Sequence, residues 1–217
     1  MKNWWYYHKW YVICGIVLLG IVCNVVGNAL GLWHKAPDFQ IAYIGKTELP
    51  TDTVSSLEQS FASAGWDFNK DGEVIVKVNQ YISGNHSQDA ELAYYEYASE
   101  LTLVGDISDC ESYFFLMESP DDFQRNFQLL ADFDGSCPKE TDYSAENKAV
   151  LWSDCPALSG MELGSYSTVI SGKEVAGDSQ ELLSSLYFGR RCFYTKDRTK
   201  NVKDCDKLWN SLVCSEK

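Results

Sequence analysis

The hydrophobic residues of this chain form one long unbroken run, followed by shorter periodic segments. The run covers residues 10–33, WYVICGIVLLGIVCNVVGNALGLW, and contains no charged side chain. At a rise of about 1.5 Å per residue, a helix of this length crosses a hydrocarbon core of roughly 30 Å. Aromatic residues crowd the stretch before the run and Trp33 ends it, as membrane interfaces favour. The pattern predicts one N-terminal transmembrane helix.

Lysines flank this span unevenly and suggest its orientation. Lys2 and Lys9 precede the span, whereas Lys35 follows it. This small positive-inside bias favours a cytoplasmic tail at residues 1–9, a retained signal anchor in the cell membrane and an extracytoplasmic domain at residues 36–217. A cleaved signal peptide is the alternative, because Ala29-Leu30-Gly31 offers the small residues of a cleavage site. Either topology places the bulk of the protein outside the cytoplasm.

Beyond the span, strand and helix patterns alternate. The predicted order is a strand at 39–45, a helix at 51–64, a strand at 73–83, a helix from Ser87, a strand at 112–118 and a helix from Pro120. The helix from Ser87 has one apolar stripe, formed by Ala90, Tyr94, Tyr97, Ala98 and Leu101. Weaker patterns predict strands at 149–152 and 184–194 and an amphipathic closing helix from Val202 to Leu212. Short links in the order β-α-β-α-β-α predict an α/β domain with a three-layer, mostly parallel sheet and helices on both faces.

The charge of the domain excludes one class of partner. The chain has 18 Lys+Arg and 31 Asp+Glu, and its first 35 residues contain three lysines and no acid. The remaining residues therefore carry a net charge near −16. Such a surface repels phosphate backbones and anionic lipids, so we expect no nucleic-acid partner.

Six of the eight cysteines lie outside the span and predict disulfides. They are Cys110, Cys137, Cys155, Cys192, Cys205 and Cys214. Cys205 and Cys214 share one predicted helix, too far apart for a disulfide with each other. We favour a Cys137–Cys155 bond and a bond from Cys192 to a cysteine of the last helix, either Cys205 or Cys214. The alternative is that some of the six are free buried thiols.

The segment DFNKDGEVIVKV resembles the start of a calcium-binding loop. Asp67, Asn69 and Asp71 alternate and Gly72 follows, as in half of an EF-hand. Position 12 of such a loop needs a bidentate glutamate, but this chain has Val78 there, and a strand follows instead of a helix. Asp, Asn and Gly are also the usual residues of tight turns. A structural turn is therefore favoured, and calcium at these three side chains is the alternative; no other cofactor is predicted.

Catalytic motifs are not recognisable in this sequence. A serine-hydrolase or zinc-protease pattern is absent, and the histidines that follow the span are His34 and His86. Acidic residues are too numerous for their spacing to identify an acid–base pair. We therefore expect a protein that is not an enzyme, with an uncharacterised extracellular enzyme as the less favoured reading.

The predicted topology does locate a candidate binding site. In open α/β sheets, ligands bind outside the carboxyl ends of the strands. Those ends are followed or formed here by Lys46, Thr47, Tyr81, Glu118 and Ser119. Lys46 and Ser119 suit an anionic group, Glu118 suits a cationic one, and Tyr81 can stack on a ligand. We predict that these five side chains line a cleft.

Two segments resemble the first lobe of type II extracytoplasmic solute-binding proteins. They are FQIAYIGKTELPTDTVSSLEQSFASAGWDFNKDGEVIVKVNQY and LTLVGDISDCESYFFLMESPDDF, within about residues 39–125. The resemblance implies a two-lobed α/β fold that closes on a sugar, peptide or other solute and delivers it to a membrane transporter. This chain departs from the family, because it is too short for a full second lobe and has a helix as its anchor. We expect a membrane-anchored module that binds or presents a small solute; the alternative is an envelope structural or protein-interaction protein with a vestigial cleft.

Overall fold

The protein has an apolar helix followed by an α/β domain. The computed structural model describes residues 2–29, 35–84, 89–139, 141–170 and 173–214. Two compact units are present, Met1–Ala36 and Pro37–Lys217. Helix α1 (Lys2–Ala29) forms the first, and its segment Tyr7–Gly27 is long and apolar enough to cross a membrane, with a mean hydropathy of 2.2. The predicted span overlaps this helix, although its residues 30–33 and most of the Ala29-Leu30-Gly31 pattern lie outside the described residues.

The second unit alternates strands and helices largely as predicted. Its elements are β1 (Phe39–Gly45), α2 (Thr51–Ala64), β2 (Val76–Ile82), α3 (Ala90–Asp109), β3 (Phe114–Met117), α4 (Pro120–Phe127), β4 (Ala149–Leu151), α5 (Pro156–Ser159), β5 (Ser165–Ile170), β6 (Lys173–Asp178), α6 (Ser179–Leu183), β7 (Tyr187–Arg190) and α7 (Val202–Val213). A short 3₁₀ turn, Trp152–Asp154, follows β4. The strand–helix order through α4 is confirmed, as are short strands at β4 and β7 and the closing helix α7. The β5–β6 hairpin was not predicted.

Five strands form one mixed sheet in the order β2-β1-β3-β7-β4. Strand β1 pairs in parallel with both β2 and β3, so that Ile41 lies opposite Val78 on one side and Phe114 on the other. Strand β7 runs antiparallel to its neighbours β3 and β4. The hairpin of β5 and β6 is a separate antiparallel pair. The predicted α/β class with a mostly parallel sheet is confirmed.

Two apolar clusters form because successive strand residues point to opposite faces of the sheet. Tyr43 and Phe114 belong to one cluster, together with side chains of α2 and α7. Ala42 and Phe115 belong to the other, together with side chains of α3 and α4. The first cluster is rich in aromatic rings, and Trp209 stacks on Phe188 with ring centroids 5.6 Å apart. Burial of both faces explains why β3 is a continuous apolar segment.

Helix α3 packs against the sheet with its less hydrophobic side. Its buried residues are Glu96, Leu103 and Asp106. Asp106 accepts hydrogen bonds from the Tyr81 hydroxyl at 2.7 Å and the Ser112 hydroxyl at 2.6 Å, which satisfies a buried carboxylate. The apolar stripe seen in the sequence instead faces outward. Tyr94, Tyr97 and Leu101 are 75, 60 and 54% exposed.

One disulfide joins Cys137 and Cys192, with Cα atoms 5.3 Å apart. The predicted bond between Cys137 and Cys155 is wrong, and so is the predicted bond from Cys192 to the last helix. The Cys192 N–H donates to the Leu129 carbonyl at 2.7 Å, so the segment leading to Cys137 runs beside the end of β7. This pairing was not visible in the sequence because the two segments are separated by β4, β5 and β6.

The other cysteines of the domain are free thiols. Cys155 and Cys205 are buried, Cys110 is partly buried and Cys214 is exposed. The Cys155 thiol lies 3.3 Å from the Leu212 carbonyl, under the last turn of α7. The alternative that some cysteines are free buried thiols therefore holds for Cys155 and Cys205.

Replacing Cys137 and Cys192 together by serine is expected to lower the free energy of unfolding by about 4 kcal/mol, because the bond closes a long loop in the unfolded chain. Their sequence separation is 55 residues. Urea unfolding of the full chain in detergent, without reductant, measures this loss. Cys214→Ser is the matched control, since Cys214 is exposed and unpaired. An equal loss in the control, or no loss in the double variant, would contradict the expectation.

Candidate functional site

The candidate site lies where β1 and β3 end side by side. Parallel pairing brings Lys46 and Glu118 together, because each follows its strand directly. The Glu118 N–H donates to the Ile44 carbonyl at 3.0 Å and extends the ladder by one residue. In return Glu118 Oε1 accepts the Lys46 N–H at 3.0 Å. This reciprocal pair fixes the two loops that leave the edge of the sheet.

Tyr43 adds a second anchor that the sequence analysis missed. Its hydroxyl lies 2.9 Å from the Thr47 carbonyl and 3.2 Å from Glu118 Oε1, and can donate to either oxygen. Burial, followed by the nearby Glu118 carboxylate, raises the pKa of Tyr43 well above its usual value. The hydroxyl is therefore a protonated donor at neutral pH, which holds the β1–α2 loop against Glu118.

Gly45 makes this close approach feasible. A Cβ atom at this position would lie 2.1 Å from the Tyr43 hydroxyl and 2.7 Å from Glu118 Oε1. Both distances are shorter than van der Waals contact, so any larger residue would displace the tyrosine or the carboxylate. The glycine that ends β1 is explained by this packing.

A shallow cleft lies on each side of Lys46, Glu118 and Ser119. The first has a volume of about 450 Å³, and its other polar lining residues are Ser83, Glu100, Asp122 and Asn126. The second has a volume of about 380 Å³, and its other lining residues include Tyr43, Thr47, Glu48 and Ser185. Four of the five predicted residues therefore meet at one edge of the sheet, and three of them line both clefts.

Tyr81, the fifth predicted residue, does not reach the clefts. It is 5% exposed and its hydroxyl donates to Asp106 beneath α3. Tyr81 lies an odd number of residues from Val76 and Val78, so it faces α3, on the same side of the sheet as the first cleft, but that helix covers its side chain. Its position at the end of a strand was correct, but its predicted role at the cleft is not supported by this burial.

The lining offers both charges but contains more acid than base. Lys46 is the exposed cation shared by the two clefts, whereas Glu100, Glu118 and Asp122 provide carboxylates. Asp122 pairs with Arg125 at 2.9 Å, and both side chains are 63% exposed. The Ser83 hydroxyl donates to Glu100 at 3.0 Å, which orients that carboxylate. This arrangement can hold a small solute by hydrogen bonds and opposite charges.

Several of these lining residues were absent from the sequence prediction. Ser83, Glu100 and Asn126 lie beyond the last residue of a strand or on a helix surface, where no local pattern marks a ligand contact. Asp122 was visible as an acid in the first turn of α4, a position explained by the helix dipole alone. Only the three-dimensional structure brings them to the edge of the sheet.

The segment at residues 67–72 forms a hydrogen-bonded turn. The Asp67 carboxylate accepts the Asp71 N–H at 3.2 Å and the Gly72 N–H at 2.8 Å, and the Asn69 side chain also accepts the Asp71 N–H. Lys70 and Gly72 have φ values of 62° and 92°, the left-handed conformation common in such turns. These contacts support the favoured structural role of the turn.

The buried carboxylate of Asp38 anchors the same turn from below. It accepts the N–H groups of Phe68, Asn69 and Ile75 at 2.7, 3.0 and 2.8 Å. Among the residues that the structure describes, no group of three or more His, Cys, Asp or Glu could hold a metal ion. Calcium binding by Asp67, Asn69 and Asp71 stays a prediction.

His34, His86 and Ser87, the first predicted residue of helix α3, lie outside the described residues. In its described part, α3 begins after Asp89, whose side chain accepts the N–H groups of Glu91 and Leu92. This is an ordinary N-cap, which satisfies two of the first helical N–H groups.

Comparisons with protein-family models, with curated proteins and with solved structures found no match to this chain.

Proposed function

We propose that this chain is a single-pass membrane protein whose extracytoplasmic α/β domain binds or presents a small polar solute without catalysis. The observation that carries the proposal is the meeting of Lys46, Glu118 and Ser119 between two clefts at the carboxyl ends of β1 and β3. Ligands of open α/β sheets bind at this edge. The resemblance to a solute-binding lobe adds the expectation of a sugar, a peptide or another small solute as the ligand.

The proposed location rests on the apolar helix and on the disulfide. Segment Tyr7–Gly27 suits a membrane anchor, and lysines favour its N-terminus in the cytoplasm. A disulfide such as Cys137–Cys192 persists in oxidising compartments outside the cytoplasm. The two apolar clusters on opposite faces of the sheet support a three-layer domain. A membrane transporter is the partner that a tethered solute-binding module would serve.

The solute proposal predicts a ligand-induced rise in melting temperature. The full chain in detergent is heated with sugars, peptides, amino acids or calcium, each in turn. A solute at 100 times its dissociation constant adds about 2.7 kcal/mol to the stability, which shifts the melting temperature by several degrees. We expect one class of organic solute to give this rise. Lys46→Ala should weaken the binding of that solute at least fivefold.

One control variant and two contrary outcomes test the solute proposal. Lys77→Ala is the matched control, because Lys77 is an exposed lysine on β2 that does not line either cleft. A rise with calcium alone that is lost in Asp67→Asn would assign the ligand site to the turn at residues 67–72. No rise with any solute would contradict solute binding and favour the envelope interaction protein with a vestigial cleft. That alternative is supported by the exposed apolar side of α3.

A further inference from the structure

The exposed side of α3 has the spacing of a coiled-coil interface. We name five residues the α3 seam: Ala90, Tyr94, Tyr97, Leu101 and Val104. Their intervals alternate as 4, 3, 4 and 3, which is the a/d repeat of two-stranded helix packing. All five are exposed; among the four large side chains, Tyr94 is the most exposed at 75% and Val104 the least at 47%. A continuous apolar seam over about four helical turns is unusual on a soluble surface.

Small residues lie directly beside the seam. Ala98 and Gly105 each directly follow a d position of the repeat. A partner helix could come close to α3 at these two small residues. A Cβ atom added to Gly105 would meet nothing within 4 Å, so open space lies over this part of the helix. The distance between packed helices depends on the side chains at the contact, and small residues allow close approach. The surface is therefore shaped for another helix as well as apolar enough for one.

The charges of α3 determine which helix fits best. Its charged side chains are Glu91, Glu96, Glu100, Asp106 and Asp109, of which Glu96 and Asp106 are buried, and it has no lysine or arginine. Glu91 and Glu100 occupy positions e and g of the repeat, which flank the seam and select partners by charge. A second copy of this chain would bring glutamates against glutamates and add another strongly acidic domain. Lysine or arginine in these flanking positions would instead give opposite charges.

We propose that the α3 seam docks an amphipathic helix of a partner protein that has an apolar heptad stripe flanked by Lys or Arg. The partner helix lies along residues 90–104, covers the two tyrosines and Leu101, and approaches closely at Ala98 and Gly105. None of the five seam residues lines the solute clefts at the ends of β1 and β3, although the flanking Glu100 also lines the first cleft. The buried side of α3, with Leu103 and Asp106, stays packed on the sheet.

The proposal is tested with two synthetic 21-residue helices. Both have leucine at positions a and d; one has lysine at positions e and g, and the other has glutamate there. Fluorescence anisotropy measures the binding of each labelled peptide to the full chain in nanodiscs. We expect the lysine peptide to bind at least tenfold more tightly than the glutamate peptide, with the difference reduced at high salt.

Matched variants locate the binding surface. Leu101→Glu should weaken binding of the lysine peptide at least tenfold, although the exposed position leaves the melting temperature of the chain unchanged. Val169→Glu is the control, because Val169 is a 69% exposed apolar residue on β5. Lys46→Ala should leave peptide binding unchanged, which separates this result from that of the solute cleft.

Three results would overturn the proposal. They are equal binding of the two peptides, no binding of either, and binding that Leu101→Glu does not weaken. Sedimentation of the full chain provides a further test. A dimer that Leu101→Glu dissociates would assign the α3 seam to a second copy of the chain.

Discussion

Replacing Asp38 by alanine is expected to destabilise the α/β domain by about 4 kcal/mol or more. Asp38 is 2% exposed and accepts three backbone N–H groups, from Phe68, Asn69 and Ile75. Hydrogen bonds to charged groups contribute roughly 1.5 to 3 kcal/mol each, and a buried donor left unsatisfied adds a desolvation cost. Urea unfolding of the full chain measures the loss.

Two further variants make this result specific. Asp38→Asn keeps the shape and one acceptor oxygen, so its loss should be about half as large. Asp71→Ala removes an exposed carboxylate of the same turn, which accepts the Glu73 N–H at 3.1 Å, and should cost about 1 kcal/mol or less. Equal losses for Asp38→Ala and Asp71→Ala would show that Asp38 is not the anchor of the turn.

Raising the pH above about 10 is expected to destabilise the domain steeply. The hydroxyls of Tyr43, Tyr81 and Tyr113 donate to the carboxylates of Glu118, Asp106 and Asp206. Burial is the largest cause that raises the pKa of each tyrosine, and the neighbouring carboxylate is the next. All three tyrosines therefore stay protonated in the folded chain to a higher pH than in the unfolded chain.

The sign of the effect follows from proton linkage. Unfolded tyrosine releases its proton near pH 10, whereas the folded tyrosines keep theirs, so the unfolded state binds fewer protons above this pH. The free energy of unfolding then falls as the pH rises, by about 1.4 kcal/mol per pH unit for each tyrosine and about 4 kcal/mol for three. Below pH 10 the three tyrosines contribute their full stabilisation to the free energy of unfolding.

Urea unfolding between pH 9 and 11 measures this slope. Tyr81→Phe should reduce the slope by about a third, because one titrating group is removed. Tyr143→Phe is the control for replacing a tyrosine as such, since Tyr143 is 51% exposed. A slope that is identical in wild type and Tyr81→Phe would contradict the role of the buried hydroxyl.

Much of the fold could be predicted because its elements have strong local patterns. Strand β1 alternates before a glycine, α2 has helical spacing, and β3 is continuously apolar because both of its faces are buried. The β5–β6 hairpin has no such pattern, because neither of its faces is packed into a core. Most of its described residues are exposed, including Val169 and Val175.

Part of the candidate site could also be predicted from the sequence. Residues that follow parallel strands must share an edge, so Lys46, Thr47, Glu118 and Ser119 came from chain order alone. Tyr81 was misplaced because the end of a strand gives the location of a residue, whereas the burial of its side chain beneath α3 depends on tertiary packing. The contact of Tyr43 with Glu118 and the Cys137–Cys192 bond depend on tertiary packing, which chain order does not specify.

Hydrogen–deuterium exchange of the full chain in nanodiscs, with and without a pooled library of sugars, amino acids and short peptides, tests solute binding at the cleft most directly. We expect slower exchange in two segments, residues 45–48 after β1 and residues 118–126 after β3. The α3 seam at residues 90–104 should exchange equally with and without the pool. Unchanged exchange in both segments, or protection confined to other parts of the domain, would contradict the proposed solute site.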